Sequence, residues 1–325
     1  MINIIRITNI CIDLGYWLSH FKKSTTVVIS KSNKPSYNNS KLFRPIVLLN
    51  TVGKLIEKVI SNRLQFHVAL NSFIHLSQLG GLKFKSTTDA GIMLMHIIHL
   101  GWVKNLSTST LVFDTAQFFS SLNHHFLTLI LRKVGFDLYI ANFFSNYLIG
   151  RKTNYFWNSF TSPSLDVNVG VSQGLALSPI LPAFYLSPFL YILEKCLKIL
   201  KIPISILLFV DDGLLLWQNK SFSISNSYLF CSYNVATNLL SKFELIVEHL
   251  KTEVFHFTRS QETFNPPPLN LSPIGGPILH PKELWKYLGF IFNSKLTFYQ
   301  HINLIPTKWC LQSNVWRYLA IQIVD

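Results

Sequence analysis

Hydrophobic positions along this chain follow two periods. After a short strand-like run at 25–29 comes a polar, basic stretch from Ser30 to Lys41, which reads as a loop. Leu55, Ile56, Val59, Ile60 and Leu64 then recur at helical spacing, with Asn50 or Thr51 as the cap. KSTTDAGIMLMHIIHLGWV gives a second helix, with Thr87 or Thr88 near its cap and Asp89 in its first turn. STSTLVFD is a short strand that ends on Asp114, and SSLNHHFLTLILRKVGF returns to helical spacing through Leu122, Phe126, Leu129 and Ile130. KIPISILLFVDDGLLLW reads as two apolar strand arms joined by Asp-Asp-Gly. NVATNLLSKFELIVEHL reads as an amphipathic helix, TEVFHFTR as a strand, and LWKYLGFIF as a last strand. The Pro- and Gly-rich residues 265–281 form a linker or wrapping loop before it. This order predicts an α+β fold with a small antiparallel sheet whose acids sit at strand ends.

Composition adds a partner class. The 325 residues are 49% hydrophobic and 14% charged, which supports a sizeable core. Lys and Arg number 29 against 15 Asp and Glu, for a net charge of +14 spread along the chain. Such a field suits a polyanion such as nucleic acid, or serves solubility alone. The four cysteines, at 11, 196, 231 and 310, have no CxxC spacing, which argues against zinc or a disulfide framework and fits a reducing, intracellular compartment. Arg6 and Asp13 interrupt the apolar start, so no secretory signal is expected, and nucleus or cytoplasm stays open.

Leu175 to Leu193 holds no charge and is long enough to span a bilayer. Its three prolines, 179, 182 and 188, favour instead a buried helix starting near Ser178-Pro179, with no membrane contact. His96, His99, His124 and His125 have no cysteine neighbours and poor ligand spacing, so they are expected in the core or on the surface.

Asp211 and Asp212 are the only charges in SILLFVDDGLLLW. Burying two adjacent carboxylates is costly unless a cation compensates them. If the strand ending on Asp114 neighbours this hairpin, the acids meet at one sheet end. A carboxylate set without Cys or His suits Mg²⁺. Two ions about 3.5–4 Å apart would stabilise both oxygens of an in-line phosphoryl transfer. An ordinary polar hairpin turn explains the dipeptide equally well.

Seven blocks, in order, resemble the reverse transcriptase domain of non-LTR retrotransposons, in particular those of fungal genomes. FRPIVLLNTVGKLIEKVISNRL resembles the fingers motif and SQLGGLKFKSTTDA the block after it. FDTAQFFSSLNHH resembles motif A, GVSQGLALSPILPAFYLSPFL motif B, FVDDGLLL motif C, EHLKTEVFHFTR motif D and WKYLGF motif E. The resemblance implies a right-hand polymerase fold: fingers over 1–105, palm over 106–260, and a Pro/Gly-rich connector with a truncated thumb over 261–325. It implies RNA-directed DNA polymerisation, with an RNA template, a DNA primer, dNTPs and two Mg²⁺ ions, Mn²⁺ being an alternative.

Carried over residue by residue, Asp114 and Asp211 match the metal ligands and Asp212 the less directly bound third acid. Phe119 matches the residue beneath the sugar, where a ring would exclude a ribose 2′-OH; core packing is its other reading, since Phe118 is equally apolar. Gln173 and Gly174 match the pair lying against the incoming nucleotide. Lys31 and Arg44 match fingers cations for the triphosphate, Lys31 reading equally as a solvated loop lysine. Lys251 matches a lysine that donates a proton to pyrophosphate, or it is an exposed helix-end cation.

The chain departs from the family at Ser30, Ser120, Ser172 and Leu175. Leu175 is expected to crowd the nucleotide pocket, where overpacking costs about 1–3 kcal/mol. Beyond His301 the tail no longer resembles the family, as a frameshift in a decaying copy would produce; translation in the other two frames tests this. The alternative function is therefore a catalytically dead remnant that binds nucleic acid nonspecifically.

Overall fold

The computed structural model describes residues 2–31, 36–39, 42–259 and 265–304; the divergent tail from 305 lies outside them. Helix α1 (Ile2–Asp13) leads through a 3₁₀ turn into β1 (Lys23–Ser30), which pairs antiparallel with β2 (Phe43–Leu49). Helix α2 (Thr51–Asn71) follows at once, its first turn capped by the Asn50 side chain, which accepts from Val52 N–H at 2.9 Å. Helix α3 (Thr87–Val103) carries a full capping box in which Ser86, not Thr87 or Thr88, is the cap and Asp89 returns the bond.

Strand β3 (Ser107–Asp114) ends on its acid as expected. The short α4 (Phe118–Ser121) then precedes α5 (His124–Val134) and α6 (Leu138–Leu148). Three strands follow that the hydrophobic pattern does not announce: β4 (Arg151–Trp157), β5 (Phe160–Thr161) and β6 (Leu165–Val167). β4 runs parallel to β1, so residues 151–167 build into the N-terminal sheet, of order β2-β1-β4-β5 with β6 also on β4.

Helix α7 (Ile180–Ile199) starts directly after Pro179. It is long and apolar enough to cross a membrane, but in this fold it is a core helix. Phe184, Phe189, Leu190 and Leu193 are fully buried. Each such side chain contributes roughly 2 kcal/mol by burial, which offsets the conformational cost of the prolines.

Strands β7 (Ser205–Phe209) and β8 (Asp212–Asn219) form the expected hairpin, but its two turn residues are Val210 and Asp211, not Asp-Asp-Gly. Asp212 is already paired with Phe209. Helix α8 (Phe222–Lys242) begins well before the expected Asn234 and stops before Phe243. Its buried face is built from Ser225, Asn226, Leu229, Ser232, Tyr233, Ala236 and Leu240, and the small and polar members hide the period. Glu244, with φ +58°, turns the chain out of the helix, and Val247 bridges to Thr115. Strand β9 (Glu253–Phe257) follows.

Residues 265–281 form a wrapping loop, not a linker. Their small hairpin β10 (Leu269–Asn270) and β11 (Ile278–Leu279) buries Leu269, Leu271 and Leu279 in the main core. LWKYLGFIF is two strands, β12 (Leu284–Tyr287) and β13 (Phe290–Asn293). Leu288 and Gly289 both take positive φ between them, the geometry that matches strand twist in a two-residue hairpin. Helix α9 (Tyr299–Leu304) closes the described chain.

The second sheet is wholly antiparallel, in the order β7-β8-β3-β9. It is covered on both faces. Leu215 and Trp217 point into the core with α7 and α8, while Leu214 and Leu216 join Leu94, Ile98, Phe257, Trp285 and Phe292 on the other side. Two-sided burial is why β8 reads as a continuous apolar run and not as an alternation. Along the outer edge of β7, residues 77–79 add a short parallel bridge: Leu208 N–H donates to Ser77 O and Leu79 N–H to Leu208 O, each at 2.8 Å.

Candidate active site

Sheet order brings the three acids together. Asp114, the last residue of β3, is the register partner of Asp212, the first of β8, and Asp211 sits beside it in the β7–β8 turn. All three lie at one sheet end and are half-buried. Burial raises the Asp211 carboxyl to about 6, and Asp114 adds to the rise. Burial, then Asp211, then Asp114 raise Asp212 to about 7. The cluster is short of positive charge.

The backbone beneath it is tightly specified. Val210 holds φ at +60°, a strained conformation for a β-branched residue. A Cβ at Gly213 would stand 2.2 Å from the Phe113 ring, its cross-strand partner. A Cβ at Gly80 would meet the Val210 amide at 2.3 Å, and one at Gly81 the Pro179 carbonyl at 2.1 Å. The Gly80-Gly81 pair therefore wedges between the acid-bearing turn and the start of α7.

Lys251 supplies the nearest cation. Its Nζ stands 2.7 Å from Asp114 Oδ2 and 2.7 Å from Glu248 Oε2, and Glu248 N–H donates to the Asp114 carbonyl at 2.9 Å. Burial lowers the Lys251 pKa, but the hydrogen bonds to Asp114 and Glu248 outweigh it and leave it raised. Lys251 is exposed and is the last residue of a short 3₁₀ helix (His249–Lys251), as the helix-end reading expects, and it also reaches the acids. Two residues here were not read from the sequence. Glu248 carried the signal of an acid three positions before Lys251. Tyr287 carried none: it is buried, and burial and then the Asp212 charge raise its phenol.

Phe118 and Phe119 stand on the short helical turn α4. Phe118 is core, whereas Phe119 is only partly buried, and its carbonyl accepts from Val171 N–H at 2.6 Å. Gly170, with φ +85°, lets Ser120 approach to 2.7 Å of where a Cβ would be. The motif-A turn and the loop before α7 are thus locked together.

Gln173 and Gly174 lie in that loop. The Gln173 carbonyl accepts from Val47 N–H of β2 at 3.1 Å, and Gly174 takes φ +95°. Leu175 does not crowd this turn. It is 5% exposed and packs with Val47 and Leu49 beneath β2. The expected collision is removed because the side chain packs against the N-terminal sheet. Arg44 is exposed on β2 opposite Ile29, and Lys31 directly follows β1, its N–H donating to Leu42 O at 2.9 Å. Both stand on the hairpin that meets Gln173 through Val47.

The acid cluster offers only hard oxygen donors, the chemistry Mg²⁺ or Mn²⁺ prefers. Among the described residues no three His, Cys, Asp or Glu side chains form a ready-made cage. The fit rests on the donor set and its unbalanced charge. His124 is buried and within 2.7 Å of the Gly170 carbonyl, as a core histidine, and the half-exposed His99 packs edge-on against Trp102.

Comparison with known proteins agrees with this geometry. The model of the family described as reverse transcriptase (RNA-dependent DNA polymerase) matches residues 29–292. The RNA-directed DNA polymerase from mobile element jockey of Drosophila melanogaster is 24% identical over 303 residues, covering 91% of this chain and 31% of its own length. The probable RNA-directed DNA polymerase from transposon BS of the same organism is 25% identical over 320 residues, covering 94% and 33%. The chain thus spans about a third of the length of these curated relatives. Among solved structures, apo telomerase from Candida tropicalis truncated from its C-terminal domain superposes with a TM-score of 0.58 at 13% identity, covering 86% of this chain and 54% of that one, which shows the shared right-hand polymerase fold. The chain belongs to the reverse transcriptase family, with the RNA-directed DNA polymerases of non-LTR retrotransposons among its relatives.

Proposed function

We propose that this chain copies an RNA template into DNA by adding dNTPs to a primer 3′-OH. The observation that supports this most is the meeting of Asp114, Asp211 and Asp212 at one sheet end, with the turn after Asp114 bonded through the Phe119 carbonyl to Val171 N–H of the loop that carries Gln173 and Gly174. In this reading Asp114 and Asp211 hold two Mg²⁺ ions, with Asp212 behind them. Bound there, the ions supply charge stabilisation for the attacking and leaving oxygens. The chain's own residues do the positioning. Gly174 brings backbone close to the base, Phe119 closes the floor beneath the sugar, and Arg44 with Lys31 takes the triphosphate. Lys251 leaves Asp114 and gives its proton to the departing pyrophosphate.

Residues 1–105 then act as fingers, with 151–167 completing their sheet, 106–260 as palm, and the rest as connector and thumb. Among the described residues Cys11, Cys196 and Cys231 are free thiols, and the reading places the chain's work inside the cell. The test is Mg²⁺-dependent extension of a DNA primer on an RNA template by the purified protein. Extension lost in Asp211→Asn with the fold kept supports the proposal; extension retained in that variant overturns the metal assignment. A second reading is a chain that keeps the fold without the chemistry, favoured by the departures at Ser30, Ser120 and Ser172. It predicts salt-sensitive nucleic-acid binding with no extension.

A further inference from the structure

The loop that carries Gln173 and Gly174 is gripped from below by one face of α2. Glu57 and Ser61 are four residues apart, so both project from the same side of that helix. Ser61 Oγ donates to the Ala176 carbonyl at 2.9 Å. Burial raises the Glu57 carboxyl above the usual carboxylate range, and the Tyr147 hydroxyl, the Arg151 charge and the Ala176 main chain nearby offset part of that rise. Ser61 thus bonds Ala176 directly, and Glu57 stands one helical turn away beside the same loop residue.

Glu57 is fully buried. Tyr147 donates its hydroxyl to Glu57 Oε1 at 2.6 Å, and the buried Arg151 guanidinium lies 4.6 Å from the centre of the Tyr147 ring. A buried carboxylate and guanidinium are a poor way to gain stability, since apolar side chains of similar size pack at lower cost. Such a group is better explained by what it holds in place. What it holds here is Ala176, three residues after Gln173. The rest of the loop is fixed by Ser178, whose hydroxyl donates to Ser172 O and accepts from Leu175 N–H.

We propose that Glu57 and Ser61 are positioning residues for the nucleotide pocket. Acting through Ala176, they set the height of the Gln173–Gly174 turn against the incoming dNTP. The proposal rests on the polymerase reading above and deepens it. Neither side chain touches the nucleotide. A loosened turn must be ordered again each time a dNTP binds, so the loss falls on affinity and not on the chemical step.

The test uses the full chain with Ser61→Ala, Glu57→Gln and Ser61→Thr. The first readout is amide hydrogen exchange without substrate. Ser61→Ala and Glu57→Gln should speed exchange over residues 172–178 by about tenfold and leave β3 and β8 unchanged. Ser61→Thr, which keeps the hydroxyl, should restore the slow exchange. The second readout is dNTP kinetics on a primed RNA template. KM should rise about tenfold in both loosened variants, with kcat changed by less than about twofold. Unchanged exchange over 172–178, or exchange that rises equally through α2 and the sheet, would overturn the positioning role. Exchange needs no turnover, so an unaltered chain that fails to extend a primer counts against the polymerase reading alone.

Discussion

Asp114 and Asp212 face each other across β3 and β8 as register partners at the end of the sheet. Like charges placed so are mutually destabilising. Burial, with its neighbours, raises Asp212 to about 7 and Asp211 to about 6, so the folded chain holds protons that the unfolded chain has released. Stability should therefore fall as pH rises from about 4, the unfolded carboxylate value, to about 7. Metal-free protein is expected to melt lower near pH 8 than near pH 5, measured by calorimetry in chelator. Asp212→Asn should flatten that slope and stabilise the protein by about 1 kcal/mol at the higher pH, a figure discounted for partial exposure. An unchanged slope would remove the acid pair as its source.

Mg²⁺ should act in the opposite sense. Added at about pH 8, it is expected to raise the melting temperature of the unaltered chain, because binding to the folded state alone stabilises it. Asp114→Asn and Asp211→Asn should lose both this shift and primer extension while their far-ultraviolet circular dichroism stays the same. A full Mg²⁺ shift in Asp211→Asn would place the ion elsewhere.

Lys251 touches Asp114 and Glu248 in the unloaded chain. As proton donor it is expected to matter for chemistry more than for binding. Lys251→Ala should slow single-turnover extension by about 100-fold with little change in the dNTP concentration needed for half-maximal rate. A rise in that concentration at constant maximal rate would make Lys251 a phosphate-binding residue instead.

Adjacent phenylalanines should fail in different ways. Phe118 is 2% exposed, and Phe118→Ala should cost about 3–4 kcal/mol, read by chemical denaturation. Phe119 is only partly buried, and Phe119→Ala should keep most of that stability. Its effect should be on sugar choice, raising ribonucleotide incorporation by about tenfold or more relative to dNTPs. Equal discrimination in Phe119→Ala and the unaltered chain would return Phe119 to plain packing.

Gly213 leaves room for the Phe113 ring. Gly213→Ala should destabilise by about 1–3 kcal/mol, and pairing it with Phe113→Leu should recover part of that loss. Additive costs in the double variant would show that the ring is not the obstacle.

The acids, the two-sided strand and the capped helices α2 and α3 were legible because each leaves a local mark: a charge in an apolar run, or a cap before a period. The β4–β6 strands left none. β4 buries Arg151 and Thr153, a cation and a hydroxyl, and ends on three exposed aromatics, and it is ordered by pairing with β1, far away in the chain. The start of α8 was hidden by serines and an asparagine that are buried where apolar residues are usual. Leu175 departs from its expectation for another reason: sequence gives a side chain's size, and only the fold gives its direction. The Gly80-Gly81 wedge needs two approaching backbones before either glycine has a purpose.

The bridge from residues 77–79 to Leu208 has a consequence for the register of the three acids. It is made of main-chain hydrogen bonds, and substitution changes side chains while leaving such bonds in place. It also fills the outer edge of β7, so that strand cannot slide by one residue and turn its side chains to the opposite face. The register that sets positions 211 and 212 beside 114 is therefore held by main-chain bonds that do not depend on which side chains those positions carry.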